Sequence, residues 1–332
     1  MEKYPTIIST CFSHQQSSCR LSLVCSTMSQ HTTSNYRRPP RPSGSLHGRV
    51  AIVTGAGSRA DGIGNGRASS ILLAEAGAQV VCVDMNLEWA NVTVSMITLE
   101  FGKDVAVAVQ ADVTNPDACK RAVDTALEKF GRLDILVNNV GVGGPLGTAV
   151  DVDPEEWTEG LRINVTSMML MAKYAVPAME KNERHHLAGR GAIINIASVA
   201  GLVGGTPILL YPTSKGAVVN MTRAMAVHHA PSGIRVNCVC PGMLFTPMLF
   251  SNGMPDEVRQ ARRERSLLKT EGNGWDCGCA VRFLASDEAR WMTGVILPVD
   301  AGATAAPTGD GMGQGLSSTL ASSAPTTVTA RL

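Results

Sequence analysis

Gly48-Arg-Val-Ala-Ile-Val-Thr54 runs directly into Gly55-Ala-Gly-Ser-Arg-Ala-Asp-Gly-Ile-Gly64. The first stretch is a short apolar run of strand type, the second a glycine-rich turn, and Arg67 to Ala76, closed by Gly77, reads as a helix. Glycines let a backbone approach a pyrophosphate, and a helix N-terminus offers free N–H groups and a positive dipole end. A glycine cluster alone is weak evidence. Here a second strand, Gln79-Val-Val-Cys-Val83, follows and ends in Asp84, twenty residues after Gly64. That is near the spacing of an acid that binds the adenosine ribose hydroxyls. A carboxylate there repels a 2′-phosphate, so the expected cofactor is NAD, with NADP as the alternative. Arg59 in the turn pulls the other way if it meets such a phosphate; otherwise it is a solvated loop side chain.

The alternation continues along the chain. A helix is expected from about Leu87 to Phe101 and a strand over Val105–Val113. Asp112 near the end of that strand either accepts from an adenine amino group or caps the helix over 117–130, which starts near Asn115-Pro116. Leu133–Val137 is a fourth strand, leading into Asn138-Asn-Val-Gly141. Asp153 and Pro154 have the residue types of an N-cap and a first helical position, and a long helix follows. Asn164 inside it carries a mild propensity cost, which fits a functional role or a helix distortion. Ala192–Ala197 is a buried-type strand before Ser198. A helix opens at Tyr211, and Ile234–Val239 is a strand ending in Cys240-Pro-Gly242. Residues 243 to about 275 look irregular, with charge from Arg259 to Lys269. Asp276–Ala285 reads as a helix and Gly294–Val299 as a last strand. Strands alternating with helices imply an α/β fold. The expectation is one doubly wound domain over 47–302, with about seven parallel strands and helices on both faces. Residues 1–46 and 303–332 lack periodicity and are expected to be disordered.

Tyr211-Pro-Thr-Ser-Lys215 carries the chemistry. Residues four apart on a helix share a face. An ammonium beside a phenol favours the phenolate, so Lys215 is expected to bring the Tyr211 pKa down from about 10. Such a tyrosine exchanges a proton with an alcohol or alkoxide near neutral pH, and Ser198 is placed to hold the same oxygen. A Tyr and a Lys at this spacing also occur on many helices with no such role.

Formal net charge is +1, so no strong field favours nucleic acid or an anionic membrane. No run of 18 apolar residues offers a membrane span. The nine cysteines are scattered, and Cys238/Cys240 and Cys277/Cys279 lack metal-site spacing, so no metal is expected and a reduced intracellular compartment is.

With these residues placed, residues 47–302 resemble the short-chain dehydrogenase/reductase family. The matching motifs are Thr54-Gly55…Gly62-Ile63-Gly64, Asp112, Asn138-Asn-Val-Gly141, Asn164, Ser198, Tyr211-x-x-x-Lys215 and Pro241-Gly242…Thr246. Ser198 and Tyr211 stand thirteen residues apart, which also matches. The resemblance implies Tyr211 as catalytic acid/base, Lys215 as its pKa modulator and ribose ligand, Ser198 as substrate-orienting group and Asn164 as support for a water relay. It further implies cofactor contacts from Gly55, Ser58, Arg59, Gly62, Ile63, Gly64, Asp84, Asp112, Val113, Asn139, Gly141, Pro241, Gly242 and Thr246. The glycine turn is two residues longer than the family's usual one, and Val140 stands where Ala is usual.

The resemblance implies an NAD(P)-dependent alcohol dehydrogenase or carbonyl reductase for a small-molecule alcohol or ketone. A non-catalytic dinucleotide-binding regulatory module is the alternative. It would need the glycine turn and Asp84 but none of the catalytic set. A nicotinamide-assisted epimerase or dehydratase is a third reading. The start of the 243–275 segment (Met243, Leu244, Phe245, Met248, Leu249, Phe250) is apolar, either to pack the segment down or to meet a lipophilic or ring-shaped substrate. A homo-oligomer, dimer or tetramer, is expected by resemblance through the helices near Asp153 and Tyr211, although Met168, Met169 and Met171 also suit a core. The arm's basic bias fits a flexible extension or a transit peptide. The cytosol is the expected compartment. Ala330-Arg331-Leu332 keeps the small–basic–Leu pattern of a peroxisomal address, so the peroxisome is the alternative. An N-terminal fluorescent fusion that turns from punctate to diffuse when Leu332 is removed would support that address; diffuse signal in both forms removes it.

Overall fold

The computed structural model describes residues 39–306, apart from 188, 205 and 252. Most of the two expected disordered ends, including Ala330-Arg331-Leu332, lies outside the described residues. Packing begins at Leu46, which is fully buried and donates its N–H to the Ala76 carbonyl at 2.7 Å.

Seven strands form one parallel sheet: β1 (Val50–Thr54), β2 (Gln79–Asp84), β3 (Ala106–Gln110), β4 (Ile135–Asn138), β5 (Gly191–Ile196), β6 (Ile234–Pro241) and β7 (Ile296–Val299). Their order across the sheet is β3-β2-β1-β4-β5-β6-β7. The order reverses between β1 and β4, and in open α/β sheets ligands bind at the carboxyl ends of the strands beside such a reversal.

The helices are α1 (Asn65–Glu75), α2 (Leu87–Phe101), α3 (Pro116–Phe130), α4 (Pro154–Leu161), α5 (Ser167–Glu180), α6 (Leu210–His229), α7 (Pro247–Phe250), α8 (Asp256–Glu264) and α9 (Gly274–Ala285). Both faces of the sheet are covered, so the inner strands read as near-continuous apolar runs. Within β1, Val50 and Ile52 join one core with Met171 and Ala175 of α5 and Met225 of α6. Ala51 and Val53 join the other with Ile71 of α1, Ile97 of α2 and Val281 of α9. The two cores follow from side chains alternating at period two along a strand.

The segment between β6 and α9 differs from the expected irregular loop. It holds α7 and α8. Pro247 occupies the first turn of α7. Helix α8 has acids in its first turn and arginines in its last, which complements its dipole. No residue of α8 is buried, so apolar periodicity could not reveal it.

The expected long helix after Asp153 is three pieces. Asp153 does cap α4, accepting from the N–H groups of Glu155 and Glu156 at 2.9 Å. Between α4 and α5, Arg162–Thr166 winds as a π-helix with Asn164 at its centre.

Candidate active site

Helices α2, α3, α4 and α9 each begin with an Asn or Asp side chain accepting from the first-turn N–H groups. Helix α1 does not. It starts from Gly64 with no side-chain cap. Its first residue, Asn65, keeps a buried Oδ1 with no hydrogen-bond partner. The free helix end faces a cleft of about 320 Å³ that runs along the strand ends.

Glycines shape that mouth. Gly55 has φ +61° and so needs the left-handed region. A Cβ on Gly66 would stand 2.0 Å from the Gly55 carbonyl oxygen, and one on Gly57 would stand 2.8 Å from Asp84 Oδ2. The Gly57 N–H donates to Asp84 Oδ2 at 2.9 Å and the Asn86 N–H to Oδ1 at 3.0 Å. Asp84 therefore holds a defined orientation on the cleft wall. Across the cleft, the Asp112 carboxylate accepts from the Thr114 N–H and hydroxyl, which hold it below the usual carboxylate range. Asp112 does not cap α3, because Asn115 does.

Gly55, Ser58, Arg59, Gly64, Asp84, Asp112, Val113, Asn139, Gly141, Tyr211, Lys215 and Thr246 all line this cleft. Asn139 ties its two central strands together, its Nδ2 donating to the carbonyls of Thr54 at 3.1 Å and Gly55 at 3.0 Å. Four expected cofactor contacts are not on the cleft wall. Gly62 packs toward Pro247 and Phe250, where a Cβ would meet Pro247 Cγ at 3.2 Å, and its carbonyl accepts from Arg67 at 2.6 Å. Ile63 packs on the apolar core. Pro241 pairs with Val299 inside the sheet. Gly242 donates to the Val299 carbonyl at 2.9 Å and abuts Asp300. The longer turn accounts for Gly62 and Ile63. Ser58 and Arg59 occupy the cleft side, and the last part of the turn folds back against α7. Gly57, Asn65 and Gly66 also line the cleft, and the sequence does not mark them as site residues. Gly57 sits inside the quoted glycine turn, so its presence there was the available signal.

Of the expected catalytic set, Tyr211 and Lys215 line the cleft, and Ser198 and Asn164 lie behind them. Lys215 is almost fully buried, and its Nζ donates to the Ile196 carbonyl at 3.0 Å. A Cβ on Gly141 would stand 3.0 Å from that Nζ and 3.4 Å from Asn164 Oδ1, so a bare glycine makes room for both. Asn164 Oδ1 accepts from the Val142 N–H at 2.7 Å. Its Nδ2 donates to the Val142 carbonyl and to Ser214 Oγ, both at 2.9 Å. The π-turn thus aims a fully buried amide at the loop after β4. Ser198 follows β5 and caps a short 3₁₀ turn, accepting from the Ala200 N–H at 3.2 Å. Its side chain lies close enough to the Tyr211 hydroxyl to favour the phenolate.

Tyr211 does not follow the expected direction. Burial pushes its phenol above the ordinary value of 10, and the nearby Ser198 side chain only partly opposes this. Lys215 Nζ lies 5.8 Å from the Tyr211 ring centre, yet burial lowers the lysine itself to about 8. Lys215 therefore loses its charge before the phenol ionises, and a neutral amine gives the phenolate no help.

A family model described as enoyl-(acyl carrier protein) reductase matches residues 57–304. The chain is 36% identical over 260 residues to meso-2,3-butanediol dehydrogenase of Serratia marcescens, covering 77% of this chain and 95% of that one. It is 38% identical over 257 residues to cis-4-hydroxycyclohexanecarboxylate dehydrogenase of Sinomonas cyclohexanicum, covering 77% and 97%. A 7α-hydroxysteroid dehydrogenase structure, complexed with NADH and 7-oxo glycochenodeoxycholic acid, is 34% identical with a TM-score of 0.70, covering 78% of this chain and 95% of that one.

The chain belongs to the short-chain dehydrogenase/reductase family. It is an NAD(P)-dependent oxidoreductase acting on CH–OH groups. The donor set of the cleft fits a nicotinamide dinucleotide: an uncapped helix end, bare glycines that let the backbone come close, and Lys215 with N–H donors to spare. No helix among the described residues is long and apolar enough to cross a membrane. No group of three or more His, Cys, Asp or Glu among them is placed to hold a metal ion.

The depressed Lys215 value sets a stability window. Between pH about 8 and 10.5 the unfolded lysine binds a proton and the folded one does not, so stability rises with pH there. We expect urea melts at several pH values to show wild type gaining on Lys215→Met across that window by about 3 kcal/mol. A constant difference between the two from pH 7 to 10.5 would show that Lys215 titrates normally.

Proposed function

We propose that the enzyme oxidises a secondary alcohol, or reduces the matching ketone, with Tyr211 as the proton carrier. The observation that carries this reading is the cluster of Ser198, Tyr211, Lys215 and Asn164, of which Tyr211 and Lys215 line the cleft. The bound dinucleotide supplies hydride acceptance or donation at its nicotinamide ring. The Ser198 hydroxyl holds the substrate oxygen beside the Tyr211 hydroxyl. Tyr211 takes the proton from the alcohol or returns it to the alkoxide. Lys215 is fixed by the Ile196 carbonyl and turns its remaining N–H groups to the cofactor ribose. Asn164 sets the loop after β4 and so the wall opposite Lys215. A regulatory module would need none of these four side chains, and all four converge.

The cofactor is NAD. The support is Asp84, held by the Gly57 and Asn86 N–H groups where the second strand meets the cleft. A fixed carboxylate there accepts from ribose hydroxyls and repels a 2′-phosphate. Arg59 also lines the cleft and is the group that would favour NADP.

The named relatives oxidise a vicinal diol and a ring-borne alcohol, and we infer a compact secondary alcohol here. Of the apolar residues after β6, only Met248 reaches the cleft wall. Leu244 is buried, and Phe245 packs on Phe250 at 4.8 Å between ring centres. The apolar start of the segment therefore mostly packs it down. The oligomer is carried as part of this reading. Met168 and Met171 are core, which leaves Met169 and Val227 exposed on α5 and α6. Light scattering at micromolar concentration should give a dimer or tetramer mass; a monomer mass refutes it.

Tyr211→Phe should lower kcat by about 10²–10⁴-fold while NAD binding, read by fluorescence titration, persists. The same assay on wild type should favour NAD over NADP. Near-normal turnover in the variant removes Tyr211 from its role, and a wild-type preference for NADP hands the cofactor choice to Arg59.

A further inference from the structure

Helix α8 is exposed on every residue but one. Asp256 to Ala261, Arg263 and Glu264 face solvent, while Arg262 turns inward and is half-buried. Its neighbours along the segment are accounted for. Arg259 forms a two-pronged ion pair with Glu271 at 2.6 and 2.5 Å and lies 3.9 Å over the Phe245 ring. Arg263 hydrogen-bonds Gln260. Arg262 has no carboxylate partner among the described residues. Its one hydrogen bond runs from a terminal nitrogen to the Leu244 carbonyl, at the long distance of 3.5 Å.

A guanidinium has five N–H donors in a fixed fork. Burying one without an anion costs solvation that a single weak carbonyl contact does not return. The charged groups acting on Arg262 are Arg265, which repels it, and Tyr211, whose phenolate would attract it; Arg262 in turn eases ionisation of the Tyr211 phenol. So the one half-buried cation of α8 lies within electrostatic reach of the proton carrier. Its backbone contact, Leu244, leads directly into Thr246, Pro247 and Met248 on the cleft wall.

We propose that Arg262 anchors an anionic group of the substrate, so that the secondary alcohol is a hydroxy acid whose carboxylate pairs with this guanidinium while its CH–OH lies at Tyr211. A carboxylate matches the fork through two parallel N–H···O bonds. This assignment rests on the hydride-transfer reading above. It makes Arg262 a specificity determinant that supplies the missing counter-ion only when substrate is bound.

The test compares cyclohexanol with 3- and 4-hydroxycyclohexanecarboxylate, using NAD, in wild type, Arg262→Met and Arg262→Lys. Wild type should favour at least one acid over cyclohexanol by tenfold or more in kcat/KM. Arg262→Met should cut that acid-to-neutral ratio by about 10–100-fold, chiefly through KM for the acid, which is the scale of a hydrogen bond to a charged group. Arg262→Lys should retain part of the ratio. Cyclohexanecarboxylate should inhibit wild type competitively, and tenfold or more weakly in Arg262→Met; this reads the contact without turnover. An equal loss on acid and neutral alcohols, with a shifted pH profile for both, would mean that Arg262 acts only through the Tyr211 phenol and overturns the anchor. A wild type that oxidises cyclohexanol without favouring either acid also overturns it, and leaves hydride transfer standing. A wild type inert toward all three alcohols overturns both.

Discussion

An ammonium buried beside a backbone carbonyl is the constraint on which the rest of the site depends. Lys215 Nζ reaches the Ile196 carbonyl at 3.0 Å, and burial lowers its pKa to about 8. The fold accommodates that cost in specific ways. The end of β5 presents a free carbonyl. Gly141 withholds the Cβ that would crowd the amine. Helix α6 begins at Leu210, so its first two turns present Tyr211 and Lys215 on one face. An uncompensated buried cation is expensive, so these features hold the lysine in one place rather than merely permitting it. That fixed position sets the distance between the cofactor ribose and the phenol in the proposed mechanism.

Protonation order follows from the same burial. Lys215 discharges before Tyr211 ionises, because burial lowers the one value and raises the other. The spacing of Tyr211 and Lys215 in the sequence predicts the opposite, since it counts the charge pair and not the desolvation of either member. A pair on one helix face can interact by a few kcal/mol at most when half-solvated, and desolvation of buried groups is of comparable size or larger. Arg262 is the compensating charge near the phenol that the spacing could not reveal.

Legibility followed the physical origin of each feature. The parallel sheet was readable because strands such as Val50–Thr54 are buried throughout and apolar up to their last residue, and the glycine turn is tied to a strand before it and a helix after it. Catalytic candidates were readable because their residue types and order are informative together. Helix α8 was not, since its residues are solvated and carry no apolar period. The displacement of Gly62 and Ile63 from the cleft was not, since it depends on where a two-residue-longer turn chooses to fold back, and that is set by packing against Pro247 and Phe250.

Asn164 shows how a local cost becomes a positional device. An asparagine within a long helix is mildly unfavourable. Here the helix widens into a π-turn at Arg162–Thr166, a geometry found mostly as single turns and often at functional sites. The widening turns the Asn164 amide inward, where it pairs with both the N–H and the carbonyl of Val142 as a neighbouring strand would. Its remaining donor goes to Ser214, the residue immediately before Lys215. One side chain therefore links the loop after β4 to the first turn of α6. A regular α-helix at this point would rotate the residues beyond Asn164 by a fraction of a turn relative to α4, and the same amide could not serve both partners. The distortion and the placement of the amide are thus one feature: the π-turn exists where a regular helix would break the link between the cleft wall and the lysine.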